Sequence, residues 1–203
     1  MKLLALDSSI LEAGSVSRQL MTHYLNHWQR TYPTGEVIYR DLDKQGLSHL
    51  SSESLIAAKQ PETIRSEALK NELALAEMVL HEFLSADEIV IGAPMYNFSI
   101  PSQLKSWIDR ILVAGKTFKY TGQGVMGLAG DKRVIILSTR GNFYTNNASM
   151  QAMDHQEYYL QVVFNFIGVT RFTVIRAEGL HLSPEIKTKA IALAEEKIEA
   201  LFL

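Results

Sequence analysis

Five short apolar runs punctuate the chain, at Leu3–Leu6, Glu36–Arg40, Glu88–Ala93, Arg133–Leu137 and Phe172–Ala177, and each has the length and side-chain character of a β-strand. Between them the apolar spacing lengthens to about 3.6 residues. Helices are therefore predicted at Ser17–Tyr32, Glu62–Leu84, Ser102–Ala114, Gln151–Ile167 and Ser183–Leu201, each long enough to cross from one strand to the next. Strict alternation of this kind predicts parallel strands with helices on both faces of the sheet. The segment Lys116–Gly130 contains Gly122, Gly124, Gly127 and Gly130, too many for a helix, and reads as an excursion beside a binding site.

A chain of 203 residues with 47% hydrophobic content has room for one core, so residues 1–203 are expected to form a single α/β domain. In the flavodoxin-like, three-layer version of this architecture the strand order is 2-1-3-4-5. Ligands then sit where the order reverses, outside the carboxyl ends of strands one and three. The loops Ser8–Ser17 and Pro94–Pro101 would be neighbours there.

Those loops carry suggestive chemistry. Ser8, Ser9, Ser15 and Ser17 cluster where the first helix begins, and hydroxyls beside free backbone N–H groups at a helix start can hold an anion without a countercharge. An ordinary N-cap is the alternative for Ser15 or Ser17. Neither G-x-x-x-x-G-K-[ST] nor G-x-G-x-x-G occurs at this turn, which favours a monophosphate over a pyrophosphate. The loop Pro94-Met95-Tyr96-Asn97-Phe98-Ser99-Ile100-Pro101 follows a buried strand that Pro94 is expected to end. It offers aromatic surface together with amide groups, the combination an isoalloxazine ring requires, although Tyr96 and Phe98 could equally cap the core. Past the fourth strand lie Thr139, Arg140, Gly141 and Asn142. Three of them can donate to the electron-rich edge of a flavin, and Gly141 lets the backbone approach closely; a solvated turn is the competing reading.

Charge and composition narrow the field. Twenty basic and 22 acidic residues are interspersed, giving a net charge of −2 and no patch suited to nucleic acid or anionic lipid. With no cysteine, thiolate metal sites and cysteine nucleophiles are excluded, so redox chemistry would have to come from a cofactor. His23 and His27 share a helix face without an evident third ligand, and no metal is expected. Asp7 interrupts the apolar start of the chain too early for a signal-peptide core, no run approaches membrane-spanning length, and a cytoplasmic location is expected.

The chain resembles the FMN-dependent NADH-azoreductases, flavodoxin-like homodimeric enzymes that also reduce quinones. The resemblance runs through nearly the whole sequence. It is most specific at Pro94-Met95-Tyr96-Asn97-Phe98, Leu104-Lys105, Asp109, Ala114-Gly115, Thr117-Phe118, Tyr120-Thr121, Gly124, Gly127-Leu128 and Arg140-Gly141. It implies an FMN phosphate site at Ser9, Ser15, Val16 and Ser17, and a ring site at Met95, Tyr96, Asn97 and Phe98. A second ring-binding loop is implied at Thr139, Arg140, Gly141 and Asn142. It further implies a substrate pocket touched by Tyr120, Phe118 and Val163, with Tyr120 reaching toward the partner subunit's site. The implied cycle is a ping-pong one: NADH delivers a hydride to the flavin and leaves, and a quinone or azo compound then occupies the same place. No catalytic side chain is required, because the flavin carries the chemistry.

Three positions depart from the family pattern: Asn142 stands where a second glycine is usual, Val113 where arginine is common, and Val163 where some relatives carry an aromatic. Two other readings remain. A flavodoxin-type electron carrier would usually show a more acidic docking surface. An SGNH-like esterase would use Asp7-Ser8 and His181, but Glu178 stands where that family expects Asp, and the block that would form its oxyanion hole is absent. A phosphoreceiver would need an aspartate at the end of strand three, where Ala93-Pro94 stands.

Overall fold

The first strand, β1 (Lys2–Asp7), buries Leu3 and Ala5 on one side and Leu4 and Leu6 on the other, so both of its faces must be covered. The computed structural model describes residues 1–146 and 148–203. After β1 come α1 (Val16–Thr31), β2 (Glu36–Asp41), α2 (Ser52–Ala57), α3 (Glu67–Ser85), β3 (Glu88–Pro94) and α4 (Ser102–Ile111). The chain continues through β4 (Phe118–Thr121), β5 (Gly124–Gly127), β6 (Arg133–Thr139), α5 (Ala148–Gln151), α6 (Glu157–Phe166), β7 (Arg171–Ala177) and α7 (Pro184–Glu199).

Five strands pair in parallel in the order β2-β1-β3-β6-β7, the expected 2-1-3-4-5 once β4 and β5 are set aside. The strand alternation sorts the core into two layers. Leu3, Ala5, Val90 and Ile135 pack under α1 and α7. Leu4, Leu6, Ile89 and Ile136 pack under α3, α4 and α6, with Phe83 and Trp107 edge to face between α3 and α4. A helix–sheet–helix sandwich follows from that period of two. No helix among the described residues is long and apolar enough to cross a membrane.

Several local expectations are corrected. Pro94 does not stop the ladder: it pairs with Thr139 as the last residue of β3, and the Met95 N–H carries the bonding one step further, to Thr139 O at 2.9 Å. The helix expected over Gln151–Ile167 begins only at Glu157, as α6; the single turn α5 shares just Gln151 with the expected range. Asp154 Oδ1 accepts the N–H groups of Gln156 and Glu157 at 3.0 and 3.1 Å and so starts α6 afresh. The helix expected from Glu62 begins at Glu67, capped by Ser66, and α2 is an additional short helix closed by a capping box between Ser51 and Ser54.

The glycine-rich Lys116–Gly130 segment is an antiparallel hairpin, β4 on β5. It does not lie beside the carboxyl edge of its own sheet. Because α4 runs back from that edge, the hairpin springs from the opposite end, where Ala129 N–H bonds Ile167 O and Lys132 Nζ bonds the carbonyls of Leu84 and Ala86. Its base is pressed against the turn after α6: a Cβ on Gly127 would stand 2.1 Å from the backbone nitrogen of Gly168.

Candidate functional site

The loop from β1 to α1 turns through Glu12–Gly14 and enters the helix at Ser15. Ser15 Oγ accepts the Arg18 N–H at 3.3 Å and lies 3.0 Å from Ser17 Oγ, so two hydroxyls face each other at the helix start. The N–H groups of Val16 and Ser17 precede the first intrahelical bond and have no acceptor among the described residues. Hydroxyls, free N–H groups and the positive helix end together make an anion cradle. Arg18 braces this loop: its guanidinium donates to Ser9 O at 2.8 Å and to both carboxylate oxygens of Asp41 at 2.6 and 2.8 Å. That pairing holds the Asp41 carboxyl below the ordinary carboxylate range. Asp7, at the end of β1, is affected oppositely. Burial pushes its carboxyl up, against the opposing pull of the Tyr39 hydroxyl, which donates to it at 2.6 Å, and of the nearby Arg18 charge.

The second wall is a tight turn. Tyr96 and Ser99 exchange backbone hydrogen bonds of 2.9 and 3.1 Å, and the residues between them, Asn97 and Phe98, have φ of 48° and 70°. Positive φ at both central positions is the signature of a type I′ turn. Asparagine tolerates it readily; an aromatic residue does so at a cost of about 1–3 kcal/mol, a kind of strain concentrated at functional sites. The turn leaves the N–H groups of Asn97 and Phe98 without an acceptor among the described residues and Phe98 about half exposed. The Tyr96 hydroxyl reaches across to Ser9 Oγ at 3.1 Å and Ile10 N at 3.3 Å, joining the two loops at the topological switch.

The third wall corrects one expectation. Arg140 lines the cleft but is fully buried, and its guanidinium is engaged by Ser138 and three carboxylates instead of being offered to a ligand. Its Nε donates to Ser138 Oγ at 3.1 Å and its Nη1 to Glu178 at 3.3 Å, while Nη2 forms ion pairs of 2.8 and 2.5 Å with Asp154 and Glu157. Arg140 is a brace. The groups this loop does offer are the N–H groups of Gly141 and Asn142, which find no acceptor among the described residues, whereas Asn142 Oδ1 is occupied by the Phe143 N–H at 2.8 Å. Thr139 is buried beneath them. A Cβ on Gly141 would stand 2.7 Å from His181 Nδ1, so glycine is what lets the exposed imidazole lie over this loop.

The sheet brings these walls together around a cleft of about 120 Å³ whose lining includes Ser9, Ser15, Val16, Met95, Tyr96, Thr139, Arg140 and Gly141. Met95 and Tyr96 also border a wider hollow of about 570 Å³ reaching Asn97 and Gln103. Sequence reasoning missed Leu11, Gly14, Leu180, His181 and Lys187, which share the first lining. Lys187 could have been noticed as a cation in the first turn of the last helix. Glu178 does not serve as the carboxylate that would orient His181 in an esterase triad: it is committed to Arg140, the Tyr144 N–H and the Thr145 hydroxyl. Phe118, Val163 and Tyr120 line neither hollow. Phe118 and Val163 are buried in the core, and Tyr120 stands 74% exposed on the hairpin at the far end of the sheet.

Comparison with known proteins agrees with this architecture. A family model described as a flavodoxin-like fold matches residues 1–202. An FMN-dependent NADH:quinone oxidoreductase of Legionella pneumophila is 53% identical over 201 residues, covering 99% of this chain and 97% of that protein. The chain belongs to the flavodoxin-like family of FMN-dependent NADH:quinone oxidoreductases. A second member of the family, the FMN-dependent NADH:quinone oxidoreductase 2 of Pseudomonas aeruginosa, is 50% identical over 202 residues, covering 100% of this chain and 98% of its own length. A solved FMN-dependent NADH-azoreductase from Bacillus anthracis, in complex with FMN, superposes with a TM-score of 0.88 at 26% identity, covering 100% of this chain and 99% of that one. Against that family background, the loops after β1, β3 and β6 are the parts of the chain that converge at the carboxyl edge.

Proposed function

We propose that this chain is an FMN-dependent oxidoreductase that takes electrons from NADH and reduces quinones and aromatic azo compounds by a ping-pong mechanism. The observation that carries the reading is the meeting at the carboxyl edge of three loops that together hold six backbone N–H groups with no acceptor among the described residues, at Val16, Ser17, Asn97, Phe98, Gly141 and Asn142, beside the Ser15–Ser17 hydroxyl pair. Such a donor set fits FMN: the helix start suits the phosphate, and the other two loops suit the polar edge of the ring. Ser9, Ser15, Val16 and Ser17 would hold the phosphate; Met95, Tyr96, Asn97 and Phe98 would flank the ring; Thr139, Arg140, Gly141 and Asn142 would form its second wall. Bound FMN supplies the redox chemistry, taking up a hydride from NADH and passing the electrons to the acceptor. The chain itself contributes orientation and exclusion of water: Tyr96 and Phe98 give the flat surface, and the Gly141 and Asn142 N–H groups oppose negative charge developing at the site.

The site reads as incomplete in one protomer. Helix α6 exposes Tyr158, Val162 and Phe166 at four-residue spacing, an apolar stripe running from the Phe98 loop toward the hairpin, and the hairpin exposes Tyr120, Val125 and Met126. Two copies packed antiparallel along this stripe would cover it and carry each hairpin to the other's cleft. In such a homodimer Tyr120, propped edge to face on Phe118, would border the partner's acceptor space. The proposed compartment is the cytoplasm, where NADH is available.

The test is an absorbance spectrum of the purified protein after addition of FMN and desalting, followed by NADH without oxygen. Retained flavin that bleaches with NADH and recovers with a quinone is the expected result; a colourless protein after desalting would refute the reading.

A further inference from the structure

In the second half of α1, His23 and His27 lie one turn apart with their ring centroids 4.8 Å from each other. Their third neighbour comes from the other end of the chain. Packing of α7 on α1 brings Glu199 Oε1 to 3.2 Å from His23 Nε2 and 3.9 Å from His27 Nε2, and all three donor atoms fall within 4.8 Å of one another. We infer that His23, His27 and Glu199 form a divalent transition-metal site, of the class that takes Zn²⁺, clasping α7 to α1.

Three observations support it. Donor atoms around a four-coordinate zinc with bonds near 2.0–2.1 Å stand roughly 3.3–3.5 Å apart, which the two carboxylate–imidazole distances bracket. His23 Nε2 is buried and makes no hydrogen bond among the described residues, although a carboxylate oxygen is 3.2 Å away, so its lone pair is not committed to a donor. The His27 ring is also held in place, stacked on Phe202 at 6.0 Å and 23°, and Phe202 is itself anchored edge-on against Tyr24. Two imidazoles and one carboxylate are the donor set of open zinc sites, with solvent completing the sphere beside a half-exposed Glu199, and they are a poor match for Mg²⁺ or Ca²⁺. Without the fold, the histidine pair has no third ligand.

The site would act as a clip, since an ion bound only by the folded chain adds its binding free energy to stability. Ser15 and His23 are about 12 Å apart along the α1 axis, so ion binding and flavin binding are separable. The experiment is thermal unfolding and calorimetric titration of the FMN-loaded, chelator-stripped protein with Zn²⁺, with Mg²⁺ as control. We expect one Zn²⁺ per chain and, at a hundredfold excess over Kd, a midpoint raised by about 5–10 °C, with no response to Mg²⁺ and no change in flavin content. His27→Gln and the half-exposed, structurally milder Glu199→Gln should each abolish the zinc shift. Absence of zinc binding to the parent protein, or a zinc shift undiminished in whichever variant folds, would overturn the assignment. Because the readout is stability and stoichiometry, the same titration of the flavin-free protein tests the site whether or not the flavin reading holds.

Discussion

Replacing Arg140 with methionine is the most informative single perturbation, because the side chain is argued to brace the cleft without being offered to a ligand. The change removes a fully buried guanidinium from Ser138, Asp154, Glu157 and Glu178 while keeping most of the apolar stem. Breaking a buried ion pair by removing one partner typically costs about 3–5 kcal/mol, since the other charge stays behind. Here each carboxylate keeps another partner. Glu157 retains Arg176 Nε at 2.9–3.0 Å, Glu178 retains the Tyr144 N–H and the Thr145 hydroxyl, and Asp154 retains two backbone N–H groups. The loss should therefore lie near the lower end, about 3 kcal/mol, within the roughly 5–15 kcal/mol of a typical domain, so the variant still folds. Urea unfolding of the apoprotein measures it, and fluorescence titration with FMN measures the accompanying loss of affinity. Adding Glu178→Gln removes one stranded charge and should recover about 1 kcal/mol or more. A loss below about 1 kcal/mol, or no recovery in the double variant, would refute the idea that charge compensation is what Arg140 provides.

Further expectations follow from the same geometry. Ser15→Ala with Ser17→Ala should lower FMN affinity by roughly tenfold or more and remove about 1 kcal/mol of helix capping; unchanged affinity would refute the phosphate assignment. Tyr120→Ala should lower kcat/KM for quinone while leaving the flavin content of the desalted protein unaltered; unaltered steady-state kinetics would count against its role in the partner's site. Gly127→Ala places a methyl group against the Gly168 backbone and should cost about 1–3 kcal/mol by thermal unfolding, with acceptor kinetics impaired as for Tyr120. Burial raises the folded-state value of the Asp7 carboxyl above its unfolded one, so its contribution favours folding in acid and is lost as pH rises through that raised value. Asp7→Asn should thus be relatively less stable than the parent near pH 4 and relatively more stable near pH 7. Asp41 has the opposite sign: its lowered value supports folding above the ordinary carboxylate range and fails as pH drops through the folded-state value, so Asp41→Asn should lose more stability at neutral pH than in acid. Urea midpoints across pH measure both.

The sheet was legible because its signal is local: five apolar runs of strand length, each later found buried on both faces or at an edge, and crossover lengths that force parallel pairing. The three loops were legible for the same reason, since strand order alone determines which strand ends meet. What composition could not reveal was the direction in which a side chain points. Arg140 looked like a donor to a ligand because it follows a strand end, yet three carboxylates from later in the chain, Asp154, Glu157 and Glu178, turn it inward. The hairpin was hidden differently: two of the glycines that suggested a loop, Gly127 and Gly130, are where its backbone passes against that of Gly168. Glu199 was invisible as a neighbour of His23 because only the packing of the last helix on the first brings them together.

The segment Asp154–Glu157, smoothed over by a continuous helical pattern, connects the loops after β3 and β6. Its His155 N–H donates to Phe98 O at 3.0 Å, holding the strained turn after β3. Gln156 Nε2 donates to Ala93 O at 2.6 Å, and its Oε1 faces Ser138 Oγ at 3.4 Å, so one amide spans the ends of β3 and β6. Asp154 and Glu157, on either side, hold Arg140 and with it the loop after β6. A left-handed Phe98 persists only where its surroundings over-determine it, and here those surroundings include His155, from the same segment that fixes the opposite wall. The walls are therefore not independent: a change that loosens α6 at its start should disturb both the Tyr96–Phe98 turn and the Gly141–Asn142 N–H groups. The turn just before α6, where Asp154 Oδ1 accepts the Gln156 and Glu157 N–H groups, is thus a joint between the two loops and not a continuation of α5.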